Sequence, residues 1–138
     1  MVSATTQIRV RYAETDQMGY VYYGNYAQYF EVARVELLRS LGMSYKGLED
    51  SGIMMPVISM SSKYLKPAKY DDLLTIQTSI KTKPQIRCKF EYEIFNEIGE
   101  LLHQGETTLV FIDIKTNKPV NYPAQIATKF DLFFNPKT

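Results

Sequence analysis

Tryptophan is absent from this chain, and cysteine and histidine occur once each, as Cys88 and His103. One cysteine forms no internal disulfide, which fits a reducing compartment, and one cysteine with one histidine cannot build a Cys/His zinc cluster. No metal site is expected, and any mechanism that needs a histidine base has a single candidate. An excess of one charge sign is also lacking. Sixteen Lys and Arg against fifteen Asp and Glu leave a formal charge of +1, too weak a field to gather nucleic acid. No run approaches the roughly 18 apolar residues that a bilayer span requires, and the start MVSATTQIRVRY has no basic segment followed by an apolar core. A cytoplasmic protein with no membrane span is therefore expected. Gly, Pro and Ser never gather into a linker and no repeat is visible, while 45% of the 138 residues are hydrophobic. One domain over residues 1–138 follows, burying about two thirds of its unfolded surface.

What is present is patterned. Ile8, Val10 and Tyr12 alternate with Gln7, Arg9 and Arg11 in the period of a half-buried strand. An unusually aromatic loop, ETDQMGYVYYG, follows. From Asn25 the period lengthens, and Tyr26, Phe30, Ala33, Leu37 and Leu41 line one face of a long helix. Asn25 suits the N-cap, Gln28 a capping box, and Gly42 the left-handed residue after the last turn. Residues 45–52, YKGLEDSG, read as a short helical turn.

After Pro56, segments 57–65, 73–82, 86–95 and 101–113 read as strands, parted by turn residues at LKPAKYDD, TKPQ and NEIGE. In the third, Ile86, Cys88, Phe90, Tyr92 and Ile94 share a face. Connections this short imply antiparallel pairing. The fourth is apolar on both faces, as a strand covered by a helix and by a partner would be. Pro123 opens a short terminal helix with Ile126, Phe130 and Phe133 at helical steps. The sum is an α+β layer architecture: a five-stranded antiparallel sheet with one long helix across it. Its other face and any free edge need cover, and dimerisation through the sheet is the simplest.

Residues 11–34, RYAETDQMGYVYYGNYAQYFEVAR, carry Asp16, Gly19, Val21, Tyr23, Asn25 and Tyr26 in one short frame, then Glu31 and Arg34 on the helix. This segment resembles the opening of hotdog-fold acyl-CoA thioesterases of the 4-hydroxybenzoyl-CoA thioesterase type, and specifically the Tol-Pal-associated branch. KYLKPAKYDD at 63–72 and GETTLVFIDIKTNKPVNYP at 105–123 extend the resemblance over nearly the whole chain. It implies a hotdog fold, a sheet wrapped around a central helix, assembled as a homodimer or homotetramer. It also implies thioester hydrolysis centred on Asp16, with an acyl-CoA as substrate and no cofactor, coenzyme A being part of that substrate. Tyr23 is a departure, since many members of the Tol-Pal-associated branch carry histidine there and the hydroxybenzoyl type carries tyrosine. The acyl preference stays open between them.

Thioester hydrolysis needs a nucleophile or base aimed at the carbonyl carbon and donors aimed at its oxygen. Asp16, among Met18, Tyr20, Tyr22 and Tyr23, supplies the first, as nucleophile or as base for water. The backbone amide of Tyr23 and the adjoining Gly24, where the helix starts, supply the second. Lys63, Lys66 and Lys69 around the Pro67 turn are candidate contacts for the phosphates of coenzyme A. Met18, Met43, Met54, Met55 and Met60 are candidates for an adaptable acyl lining. Glu14 is expected on the surface or paired with an Arg, and Glu31 with Arg34 as an intrahelical pair. His103 and Cys88 read as structural strand residues. Two other readings fit the same residues: hydrolysis of acyl groups on acyl carrier protein, and an acyl-thioester-binding protein without turnover. A dehydratase fits less well, because His103 lies in no suitable motif.

Overall fold

Alternation near the N-terminus makes a strand, but a longer one than its large apolar residues mark. In the computed structural model, which describes residues 1–134, β1 runs Val2–Arg9 with Val2, Ala4, Thr6 and Ile8 on the less exposed side. Small Ala4 and polar Thr6 conceal that phase in the sequence. Cross-strand pairing with β4 (Leu73–Ile80), from Val2↔Ile80 to Arg9↔Leu73, sets where the strand begins. Tyr12 is not part of it and lies exposed in a 3-10 turn, Tyr12–Glu14.

With β3 (Val57–Tyr64), β5 (Arg87–Phe95) and β6 (Leu101–Val110), the sheet has the order β1-β4-β5-β6-β3 and every pairing is antiparallel. The long helix α1 (Tyr26–Ser40) crosses it against β1 and β4. Its buried face carries Tyr26, Phe30, Ala33 and Leu37 as expected, joined by Tyr29, Arg34 and Leu38. Phe30 is fully buried and stacks on Tyr92 of β5 at 4.2 Å and 10°. It meets the sheet at Gly105 of β6, where a Cβ would lie 2.3 Å from the ring.

Ser44 caps α2 (Tyr45–Asp50) by accepting from the Gly47 amide. Lys129 donates to the Gly42 carbonyl beyond the end of α1 at 2.9 Å. The α3 helix (Ala124–Phe134) buries Ile126 and Phe130.

Four local expectations are corrected. Asn25 stands at the N-cap position of α1 but its side chain does not cap the helix: its φ and ψ are helical because a 3-10 turn, Tyr23–Asn25, leads into α1. Its side-chain amide instead donates to the Glu14 carbonyl at 2.8 Å. The fourth strand ends at Val110, because the chain then changes partners. Ile112–Asp113 (β7) joins a second sheet between Ile53–Met54 (β2) and Lys118–Pro119 (β8). Ile86 precedes β5 and is exposed, so the buried row runs Cys88, Phe90, Tyr92 and Ile94. On α3 it is Phe134, four residues after Phe130, that packs against the core, while Phe133 is exposed.

Arg34 shows how packing overrides a local pair. Lying four residues after Phe30, it is turned inward, and its guanidinium donates to the hydroxyls of Tyr92 at 3.2 Å and Tyr45 at 3.3 Å. Tyr92 and Thr107 share a further bond of 2.6 Å. Glu31 is exposed, and the expected Glu31–Arg34 pair does not form.

Candidate active site

The segment between the two 3-10 turns is a closed loop. Its ends are joined by an antiparallel bridge, Thr15↔Val21, and its outer arm is held to the 66–72 turn by Tyr20↔Lys69 and by Val21 N–H donating to Ala68 O at 2.8 Å. Inside it, Asp16 is half-buried and organises the backbone. Its Oδ1 accepts from the amides of Met18 at 2.9 Å and Tyr20 at 3.2 Å. Its own amide donates to Tyr20 O, and its carbonyl accepts from Gly19 N–H. Gly19 has φ +78°, the left-handed conformation that lets the chain reverse here. Asp16 Oδ2 has no hydrogen-bond partner among the described residues. One carboxylate oxygen thus builds the loop, and the other takes no part in holding it.

The same loop delivers its donors. Because the 3-10 turn starts at Tyr23, the amides of Tyr23 and Gly24 precede the first internal bond and take no acceptor among the described residues. Asn25 N–H donates to Tyr22 O, and Tyr26 N–H to Tyr23 O. Tyr64 on β3 donates its hydroxyl to Tyr23 O at 3.4 Å. Tyr20, Tyr22, Tyr23 and Met18 are exposed, whereas Tyr26 is core.

The three lysines do not form one cluster. Lys69 lies beside the loop through its bridge to Tyr20. Lys66 pairs with Glu100 at 2.5 Å. Lys63 sits opposite Gln104, one residue out of phase with Tyr64 and His103, so it points away from α1. There it lines a groove with Gln77, Ser79 and Glu91. The methionines are dispersed as well: Met18 and Met60 are exposed, Met55 is core, and Met43 borders a small depression beside α3.

Cys88 is a core residue whose thiol is pushed up to about 12 by burial, which removes it as a nucleophile. His103 is fully buried, stacked on Tyr26 at 3.9 Å with Tyr64 edge-on at 4.7 Å. Its Nε2 lies 3.0 Å from Ser62 Oγ, and its buried Nδ1 has no partner among the described residues. Burial lowers its pKa to about 4 from the ordinary 6.5. As pH falls, the unfolded chain takes up this proton first, so stability is full above about pH 6.5 and declines towards pH 4 by up to about 3 kcal/mol. Urea unfolding across that window, compared with His103→Phe, is expected to show the variant losing this part of the slope.

Of the two expectations for Glu14, pairing with an Arg holds and a surface position does not: it is 8% exposed and its carboxylate pairs with Arg11 at 3.0 Å. Its Oε1 accepts from Arg11 N–H at 2.9 Å and Tyr29 Oη at 3.0 Å, and its Oε2 from the Arg11 guanidinium. Burial pushes this carboxyl up, but the Arg11 amide, the Tyr29 hydroxyl and the Arg11 charge together hold it below the usual carboxylate range. A signal was available in Tyr29: a tyrosine on the inner face of a helix needs a partner for its hydroxyl.

Residues 10–130 match the Thioesterase-like superfamily. Among curated proteins, the acyl-CoA thioester hydrolase YbgC of Escherichia coli O6:H1 is 34% identical over 89% of this chain and 92% of its own length. Among solved structures, the DHNA-CoA thioesterase of Staphylococcus aureus superposes with a TM-score of 0.90 at 39% identity, covering 95% of this chain and 90% of that one. The 1,4-dihydroxy-2-naphthoyl-CoA thioesterase Slr0204 of Synechocystis does so with a TM-score of 0.85 at 26% identity, over 92% and 98%. The five-stranded antiparallel sheet with its long helix is the hotdog fold, and this chain belongs to the Thioesterase-like superfamily.

Proposed function

We propose that the protein hydrolyses acyl-CoA thioesters to the free carboxylic acid and coenzyme A, with Asp16 as nucleophile or general base. The observation that carries this reading is one loop that presents both a carboxylate with a free oxygen and two unpaired amides at a helix start. Asp16 Oδ2 takes a proton from water as the water attacks the thioester carbon. The developing oxyanion is held by the amides of Tyr23 and Gly24. Collapse breaks the carbon–sulfur bond and releases the CoA thiolate. In the covalent variant Oδ2 attacks the thioester carbon first and expels the CoA thiolate, forming a mixed anhydride that water then opens to the free acid and the Asp16 carboxylate. No cofactor enters either route. In a single turnover in 18O-water, label in Asp16 marks the anhydride route with water opening the anhydride at the aspartyl carbonyl.

A CoA-phosphate contact is part of the reading and is supported best for Lys69, whose backbone bridges to the loop at Tyr20, with Lys63 and Lys66 in lesser roles. Assembly as a homodimer or homotetramer is part of the reading. Among the described residues the outer edge of β3 has no strand partner, and Val57, Ile58, Met60, Tyr64 and Leu65 are exposed along it. A cytoplasmic site of action fits the single free thiol, and among the described residues no helix is long and apolar enough to cross a membrane.

The test is CoA release from a panel of aliphatic and aromatic acyl-CoA esters, repeated with the same acyl groups on acyl carrier protein at varied salt. Turnover of CoA esters that exceeds carrier-bound esters at all ionic strengths is expected. Tight acyl-CoA binding without turnover overturns the reading in favour of a binding protein. Sedimentation equilibrium on the same preparation is expected at two or four times the chain mass of 16.0 kDa.

A further inference from the structure

We propose that Glu14 is a positioning residue that sets the spacing between the Asp16 carboxylate and the Tyr23–Gly24 amides; the inference rests on the Asp16 reading above. A buried carboxylate is retained only where it is fully bonded. Glu14 is bonded by groups from two segments, Arg11 before the loop and Tyr29 on the second turn of α1. Its main chain makes the remaining ties. The Glu14 carbonyl accepts from Tyr22 N–H at 2.9 Å and from Asn25 Nδ2 at 2.8 Å, one on each side of Tyr23 and Gly24.

Residue 14 therefore grips the strand exit, the end of the loop and the start of the helix at once. Asp16 follows it by two residues, on an arm that pairs back at Thr15↔Val21. Any rotation of Glu14 moves Asp16 relative to the two amides. No other carboxylate among the described residues is both this buried and bonded to α1. Glu14 has no oxygen left for substrate, so it acts through Asp16 and the turn rather than on the reacting atoms.

Substitution separates this role from plain stability. In Glu14→Gln the amide oxygen still accepts from Arg11 N–H and Tyr29, but its NH2 faces the Arg11 guanidinium, donor against donor. Tyr29→Phe removes one bond and no charge. Both are measured for kcat and KM with one acyl-CoA ester, alone and in an Asp16→Asn background, with thermal melts recorded alongside. Glu14→Gln is expected to lower kcat by about 10- to 100-fold with KM little changed, the cost of displacing a reacting group by about an ångström, and Tyr29→Phe by about threefold. In the Asp16→Asn background the same substitutions are expected to cost less than about twofold, because residues that act as a unit are not additive.

Wild-type kcat in both folded variants beside an inactive Asp16→Asn overturns the inference alone. Equal losses in both backgrounds also overturn it, since they mark general loosening. Wild-type turnover by Asp16→Asn overturns the Asp16 reading, and this inference with it. If Glu14→Gln melts early, Tyr29→Phe decides by the same comparison.

Discussion

Asp16→Asn is expected to retain the fold and lose acyl-CoA hydrolysis by about 10²- to 10⁴-fold in kcat, the range a positioned base contributes. The substitution is nearly isosteric, and its amide oxygen can still accept from the amides of Met18 and Tyr20, which hold the loop. Only the free oxygen changes. An NH2 in place of Oδ2 accepts no proton and attacks no carbonyl carbon, so the barrier rises by about 3–5 kcal/mol. The proposed oxyanion donors are backbone amides and survive the substitution, which leaves KM near its wild-type value. Asp16→Ala removes the loop bonds as well, and is expected to combine the kinetic loss with a modest fall in melting temperature. Initial rates of CoA release, set beside thermal melts of both variants, make the check. A folded asparagine variant with undiminished kcat would mean that another group performs the proton transfer.

The second large effect concerns stability. Gly105→Ala is expected to destabilise the protein by about 3 kcal/mol, at the upper end of overpacking costs. A Cβ at 105 lies 2.3 Å from Phe30 Cζ and 2.8 Å from Cε2, and 3.0 Å from the Ser61 carbonyl across the strand pair. The new methyl has no free direction. Phe30 cannot turn aside cheaply, because it is fully buried and stacked on Tyr92. Relief must come from lifting α1 off the sheet or parting β3 from β6. Lifting α1 would also displace the turn that carries the Tyr23 and Gly24 amides, so activity is expected to fall with stability.

Urea unfolding measures the loss, and Phe30→Leu provides the control. On its own Phe30→Leu costs stability by leaving a gap, yet combined with Gly105→Ala it returns part of the deficit. Such coupling is the signature of two residues sharing one volume. A Gly105→Ala protein as stable as wild type would show that the helix–sheet gap yields more readily than its geometry implies.

Much of the architecture was legible because it rests on periodicity. Steps of three and four from Tyr26 to Leu37, and the alternation of Cys88, Phe90, Tyr92 and Ile94, report which face of each element is apolar. Turn residues then placed the bounds of β3, β4 and β5 within two residues. Where boundaries slipped, a long-range contact was the cause. Pairing with Ile80 starts β1 at Val2, and a change of sheet partner ends β6 at Val110. Asp16 could be singled out because a motif places it, and the structure adds that one of its oxygens is left free.

Sequence alone therefore determined the kinds and order of the main elements and the helix that crosses the sheet, and it singled out the loop on which the proposed chemistry rests. Side-chain periodicity and local turn preferences are properties of neighbouring residues, and they survive in a one-dimensional string. Tertiary structure decided the rest. It buried Glu14 between Arg11 and Tyr29, turned Arg34 from Glu31 to two tyrosine hydroxyls, and separated Lys63, Lys66 and Lys69. A polar group goes inside only where partners from distant segments satisfy it. Which segments arrive there is settled by how helix and sheet pack.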